Sequence, residues 1–176
     1  MAQSEVSAGG GVPLVLAAPN GLDGIIAAFG DIYEYIRQDG TLDPRWQADF
    51  LAKARAPFAM KLSWDPATSV QQITCHRRMV DRFEEVLQDL QARGLSGKAG
   101  TLGGCFAFRP QRSGSKLSTH AWGIAIDLNP ATNAQGTAGE MDADVVAVFR
   151  AAGFTWGGEW EGKRRDPMHF QYCSGY

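Results

Sequence analysis

The chain has 176 residues, of which 44% are hydrophobic and 20% charged, with a formal net charge of -2. This composition suits one soluble globular domain with apolar material enough for a core, so neither a disulfide framework nor a structural metal is needed to fold it. The near-neutral balance excludes the strong basic field of a nucleic-acid binder, and no stretch reaches the apolar length of a membrane span.

Residues 1–19 are small and glycine-rich, with Gly9-Gly10-Gly11 in the middle, and read as a flexible arm. Pro13 interrupts Val12–Ala18 and no basic residue precedes it, so no secretory signal peptide is read and synthesis in the cytoplasm is expected. Asn20 offers an N-cap, followed by Leu22, Ile25, Ile26, Phe29, Ile32, Tyr33 and Ile36 at helical spacing, with Gly40 as a stop. Asp43-Pro44 reads as cap and first residue of a second helix carrying Trp46, Phe50 and Leu51, with Pro57 beyond its end. Phe58, Met60, Leu62 and Trp64 alternate as in a short strand before an Asp65-Pro66 turn.

Val70, Ile73, Met79, Val80, Phe83, Val86, Leu87 and Leu90 form the apolar stripe of a third helix that Gly94 ends. Beyond it the pattern predicts strands at 100–108, 124–128 and 168–172 and a helix at 142–152. Helices first and a small, mostly antiparallel sheet afterwards predict an α+β fold with an N-terminal helical extension. The domain reading is one catalytic domain over 20–176, made of a helical part (20–66) and a core (67–176). Cys75, Cys105 and Cys173 form no metal motif; buried free thiols or a single Cys75–Cys105 bridge are both open. The basic run Lys163-Arg164-Arg165 reads as a solvated loop.

Histidine occurs only at 76, 120 and 169. In the segment Ser118-Thr119-His120-Ala121-Trp122-Gly123-Ile124-Ala125-Ile126-Asp127, alternation sets Asp127 on the strand face opposite Ile124 and Ile126. Gly123 permits a turn that returns His120 toward that carboxylate. In Asp166-Pro167-Met168-His169-Phe170-Gln171-Tyr172, His169 and Gln171 share one strand face, and Pro167 keeps Asp166 just outside the ladder. Two imidazoles and a carboxylate suit zinc and leave a fourth position open, although a hydrogen-bonded structural histidine has the same local pattern.

The pattern Ser118-x-His120-x-x-Gly123-x-Ala125-x-Asp127 with Asp166-x-x-His169 resembles the zinc D-alanyl-D-alanine carboxypeptidase and L-alanyl-D-glutamate peptidase family. That family includes bacterial cell-wall peptidases and phage endolysins, and the resemblance spans roughly residues 70–172. It implies a Hedgehog/DD-peptidase-like fold and one catalytic Zn2+ held by His120, Asp127 and His169. It also implies Asp166 as general base and an upstream arginine, Arg109 in preference to Arg112, at the carbonyl oxygen. Glu159 and Glu161 compete with Asp166 for the base role. Ser118, Trp122, Trp156 and Trp160 are candidate substrate contacts, and Ser118 or Gln171 could order the ligands from behind.

The function so implied is cleavage of peptidoglycan stem peptides, most simply by an L-alanyl-D-glutamate endopeptidase of the endolysin type, made in a host cytoplasm and acting at the wall as a monomer. A D-alanyl-D-alanine carboxypeptidase or dipeptidase is the near alternative, and a non-catalytic zinc module the distant one. His76, beside Arg77 and Arg78, is assigned a surface or capping role.

Overall fold

The computed structural model describes residues 17–112 and 115–176; most of the expected N-terminal arm lies outside the described residues. Among the described residues four α-helices, α1 (Gly21–Phe29), α2 (Pro44–Phe50), α3 (Val80–Ala92) and α4 (Ala143–Ala151), accompany six strands. The strands are β1 (Leu51–Leu62), β2 (Asp65–His76), β3 (Thr101–Gly104), β4 (Ala125–Leu128), β5 (Thr155–Trp156) and β6 (His169–Gln171). They form one sheet in the order β2-β1-β3-β4-β6-β5, antiparallel throughout except between β1 and β3. The fold is therefore α+β with a mostly antiparallel sheet, as the sequence predicts. Among the described residues no helix is long and apolar enough to cross a membrane.

The largest departure from the sequence reading lies between residues 51 and 76. Instead of a short strand followed by an early helix, the chain forms a long hairpin joined by Ser63-Trp64, and α3 starts only at Val80. Val70 and Ile73 happen to continue the helical stripe of α3, but both are β-branched, as are Thr68 and Thr74 beside them, and this segment pairs with β1. Pro57 is tolerated inside β1 because the pairing register shifts between Arg55 and Met60, so a bulge carries the residue that cannot donate to the ladder. The first helix is also shorter than its periodicity implies. Gly30 stops it, and Ile32–Tyr35 is a separate 3-10 turn. The 100–108 strand ends at Gly104, and the two-residue β5 carries no sequence signal long enough to read.

The core lies between the sheet and α3 and α4. Phe83, Leu87 and Leu90 of α3, Val145 and Phe149 of α4, Ile126 and Leu128 of β4 and Phe170 of β6 are all buried, and Phe149 stacks on Phe170 with centroids 4.2 Å apart. Cys75, Cys105 and Cys173 are buried free thiols, so no Cys75–Cys105 bridge is present. Burial pushes the Cys75 and Cys173 thiols up to about 12 and raises Cys105 as well, which leaves all three protonated and unreactive at neutral pH.

The N-terminal helices pack on the back of this core, held by the C-terminal end of α1. Helix ends leave carbonyls without intrahelical partners, and here three side chains from the rest of the chain supply donors. Arg78 donates to the Ala28 carbonyl at 2.6 Å, His76 Nε2–H to Phe29 at 3.0 Å and Trp122 Nε1–H to Gly30 at 3.0 Å. His76 is 1% exposed, so it is no surface residue; it does act as a cap, its Nδ1 accepting from the Arg78 backbone N–H at 3.1 Å. With Nδ1 an acceptor and Nε2–H a donor, the ring is neutral and both nitrogens are satisfied.

Burial, with the nearby Arg78 and Arg77 charges and against the Phe29 hydrogen bond, pulls the His76 pKa down from 6.5 to about 4. Between these values the unfolded chain binds a proton that the folded one refuses, so stability is full above pH 6.5 and lost as pH falls toward 4. A shift of this size corresponds to about 3 kcal/mol. Urea unfolding across that pH window should show this decline, and His76→Gln should remove that part of the slope.

Candidate active site

Three elements converge on one point. Ser118 begins the Thr119–Trp122 turn, its Oγ accepting from the His120 backbone N–H, and Gly123 ends it with φ 70°. A Cβ at Gly123 would stand 2.7 Å from the His76 backbone nitrogen, which itself donates to the Gly123 carbonyl at 2.9 Å. Only glycine fits this left-handed, crowded corner. The turn delivers His120 over β4, where Asp127 pairs directly across the ladder with His169 of β6. On the other side of β4, a Cβ at Gly103 would lie 2.9 Å from that of Asp127, so the bare backbone of β3 gives the carboxylate its room. Gly103 carries no functional signal in the sequence, because its role depends on a partner strand.

His120 Nε2 lies 3.1 Å from Asp127 Oδ1 and 3.2 Å from His169 Nδ1, and His169 Nδ1 lies 3.0 Å from the same Oδ1. All three residues are buried, and their ligand atoms lie within 4.8 Å of one another. The other nitrogen of each ring is engaged elsewhere: His120 Nδ1 with the Cys105 carbonyl at 2.6 Å, and His169 Nε2 with Gln171 Oε1 at 3.0 Å and Thr119 Oγ1 at 3.3 Å. If those outer nitrogens carry the protons, the inner ones present bare lone pairs to a carboxylate oxygen. A cation relieves that repulsion, and two imidazoles with one carboxylate is a donor set that zinc accepts. The cluster thus fits a metal ion.

Burial works against ionising Asp127, but the charge and hydrogen bonds of His120 and His169 outweigh it and hold the carboxyl far below the usual carboxylate range. Burial likewise works against protonating His169, and the bond to Asp127 prevails, raising its pKa. A positive charge at this point is favoured whichever group supplies it.

The cluster opens on a cleft of about 580 Å3 that His169, Thr119 and Ser118 line together with Asp166. Asp166 is set by its backbone: its N–H donates to the Gly157 carbonyl at 2.9 Å and its carbonyl accepts from the His169 N–H at 3.0 Å. Its Oδ1 is buried and takes no hydrogen bond from any of the described residues. Burial, together with the Asp127 charge and against His169, Arg112 and His120, pushes this carboxyl up to about 6. An acid near neutrality in the lining of the cleft is equipped to exchange protons with a molecule there.

Arg109 and Arg112 both line the cleft. The Arg112 charge acts on Asp166, whereas Arg109 donates to the neighbouring Pro110 carbonyl at 3.3 Å. Glu159 and Glu161 also reach the cleft wall, but Glu159 is ion-paired with Arg150. Arg164 of the basic run faces the cleft too.

Of the tryptophans, Trp160 lines the cleft and its ring lies 5.5 Å from that of His169. Trp122 does not: it is fully buried, with its N–H committed to Gly30, so the reading of it as a substrate contact is corrected to a core tether for α1. Trp156 is half-buried outside the cleft lining, its N–H bonded to the Pro167 carbonyl at 2.8 Å, and it steadies the Asp166–His169 segment instead of touching a substrate. Turn geometry directs Trp122, and strand geometry Trp156, away from the cleft.

No curated protein matches the chain, and neither does any solved structure. A family model described as D-alanyl-D-alanine carboxypeptidase matches residues 111–172. That segment contains His120, Asp127, Asp166 and His169 and also Arg112, while Arg109 precedes it. Over this third of its length, the chain matches the D-alanyl-D-alanine carboxypeptidase family, the peptidase family that its motif resembles.

Proposed function

We propose that the protein is a zinc-dependent peptidase that hydrolyses peptidoglycan stem peptides, with His120, Asp127 and His169 holding one zinc ion. The observation that carries this reading is the buried cluster of three ligand atoms beside a carboxylate, Asp166, whose Oδ1 has no partner among the described residues. A zinc ion held there supplies Lewis-acid chemistry, making water a usable nucleophile near neutral pH and polarising a carbonyl.

The chain's own residues do the rest. Asp166 takes the proton from the attacking water and delivers it to the leaving amine, a task matched to a carboxyl raised toward neutrality. Arg109 or Arg112 faces the charge that develops on the carbonyl oxygen. Ser118 and Trp160 line the path of the peptide. The buried, unpaired acid is costly to keep in a purely binding module, which favours catalysis over a non-catalytic zinc domain.

Two peptide bonds compete. The cleft has room beyond a terminal residue, which suits an L-alanyl-D-glutamate endopeptidase of the endolysin type acting at the wall as a monomer. The D-alanyl-D-alanine carboxypeptidase family that residues 111–172 match, and the cationic Arg109, Arg112 and Arg164 in the lining, suit release of a carboxylate-terminated D-alanine. Mass spectrometry of defined stem-peptide fragments after incubation decides: internal cleavage between L-alanine and D-glutamate is expected, and release of terminal D-alanine alone overturns the endopeptidase assignment.

Zinc should bind at one ion per chain. At a hundredfold excess over its dissociation constant it should add about 2.7 kcal/mol to stability, or roughly 5–10 °C in melting temperature by calorimetry. Asp127→Ala should abolish that gain.

Asp166→Asn should retain zinc by metal analysis yet lose about 10²- to 10⁴-fold in turnover, the usual range for removing a general base. Undiminished wall lysis by that variant would overturn the role given to Asp166.

A further inference from the structure

The two imidazoles of the cluster are not held alike. The His120 outer nitrogen meets a backbone carbonyl, that of Cys105, which no side-chain substitution removes. The His169 outer nitrogen meets only side chains, Gln171 Oε1 at 3.0 Å and Thr119 Oγ1 at 3.3 Å. His169 also turns its Nδ1 inward where His120 turns its Nε2 inward, so the tautomer each ring needs is opposite.

A free imidazole takes either tautomer, and a proton on Nδ1 of His169 would point an N–H into the cluster where a lone pair is wanted. From these contacts we infer that Gln171 and Thr119 form a two-residue lock that keeps the His169 proton on Nε2 and so aims Nδ1 at the metal. This inference rests on the zinc reading above.

The lock is self-consistent atom by atom. Gln171 Oε1 accepts from His169 Nε2–H, and the Thr119 hydroxyl donates to the same oxygen at 3.2 Å. The Gln171 amide group donates to the Cys173 carbonyl at 3.5 Å. The Cys173 carbonyl takes the amide N–H, which leaves Oε1 on the side of the ring and of the Thr119 hydroxyl. Gln171 and Thr119 are 3% and 2% exposed, so no solvent competes for these bonds.

Both are positioning residues for the metal. Gln171 follows His169 by two in the same strand, which sets its side chain on the same face at every turn of the pleat, and Thr119 precedes His120 in the turn that closes over it. The spacing His-x-Gln and Thr-His thus carries both the ligands and their orienting partners.

The test is zinc affinity of the whole protein by chelator competition, with the metal-free melting temperature read in parallel. Gln171→Met, close in shape but without an acceptor, should weaken zinc binding about 10- to 100-fold, the usual loss for an outer partner. Gln171→Glu, which keeps an acceptor for both donors, should restore most of that affinity. Thr119→Val, which spares Gln171 but removes the orienting hydroxyl, should weaken binding severalfold and carries the test if Gln171→Met does not fold.

Unaltered affinity in Gln171→Met, or equal weakness in the Met and Glu variants, would overturn the lock while leaving the zinc site standing. If Thr119→Val carries the test, unaltered affinity there overturns it in the same way. Failure of the unmodified protein to bind zinc would overturn both readings at once.

Discussion

One carboxylate oxygen, Asp127 Oδ1, has two imidazole nitrogens about 3 Å away, and each of those rings has given its other nitrogen to a neighbour. Such a gathering in a buried place favours a positive charge among the atoms, whether a ring proton or a bound cation. The surrounding architecture serves that gathering. Direct pairing of Asp127 with His169 across β4 and β6 sets two of the atoms, and the Thr119–Trp122 turn folded back by Gly123 sets the third.

Around this centre the fold separates two kinds of carboxylate. Asp127 is drawn down by imidazoles and stays ionised, while Asp166, buried beside it, is pushed up toward neutrality. The contrast arises from placement alone: Asp127 is inside the ladder, and Asp166 is held outside it by Pro167 and the Gly157 carbonyl. The same chemical group thus stands in two opposite protonation tendencies, which is what the proposed ligand and proton carrier each require.

The parts of the site within a single strand were legible in the sequence. Alternation placed Asp127 and His169 on usable faces, the scarcity of histidine narrowed the choice, and the offset of Asp166 by a proline held in three dimensions. What was not legible depends on partners distant along the chain. Gly103 acquires its role only because β3 lies against Asp127, and Trp122 turned out to reach back to Gly30. The 51–76 hairpin was misread because Val70 and Ile73 satisfy two periodicities at once, and the bulge that accommodates Pro57 cannot be seen until β1 and β2 are paired.

The carbonyls at the end of α1 join this account from the other side of the molecule. They receive His76, Arg78 and Trp122, and the His76 backbone in turn holds Gly123, the hinge of the turn that carries His120. The N-terminal layer and the cluster are linked through adjacent residues of one short turn. Local opening in a protein follows such linked units, so detachment of the first helix and scattering of the His120–Asp127–His169 cluster belong to one event. The helices before residue 51 then act as a clasp on chemistry they never touch.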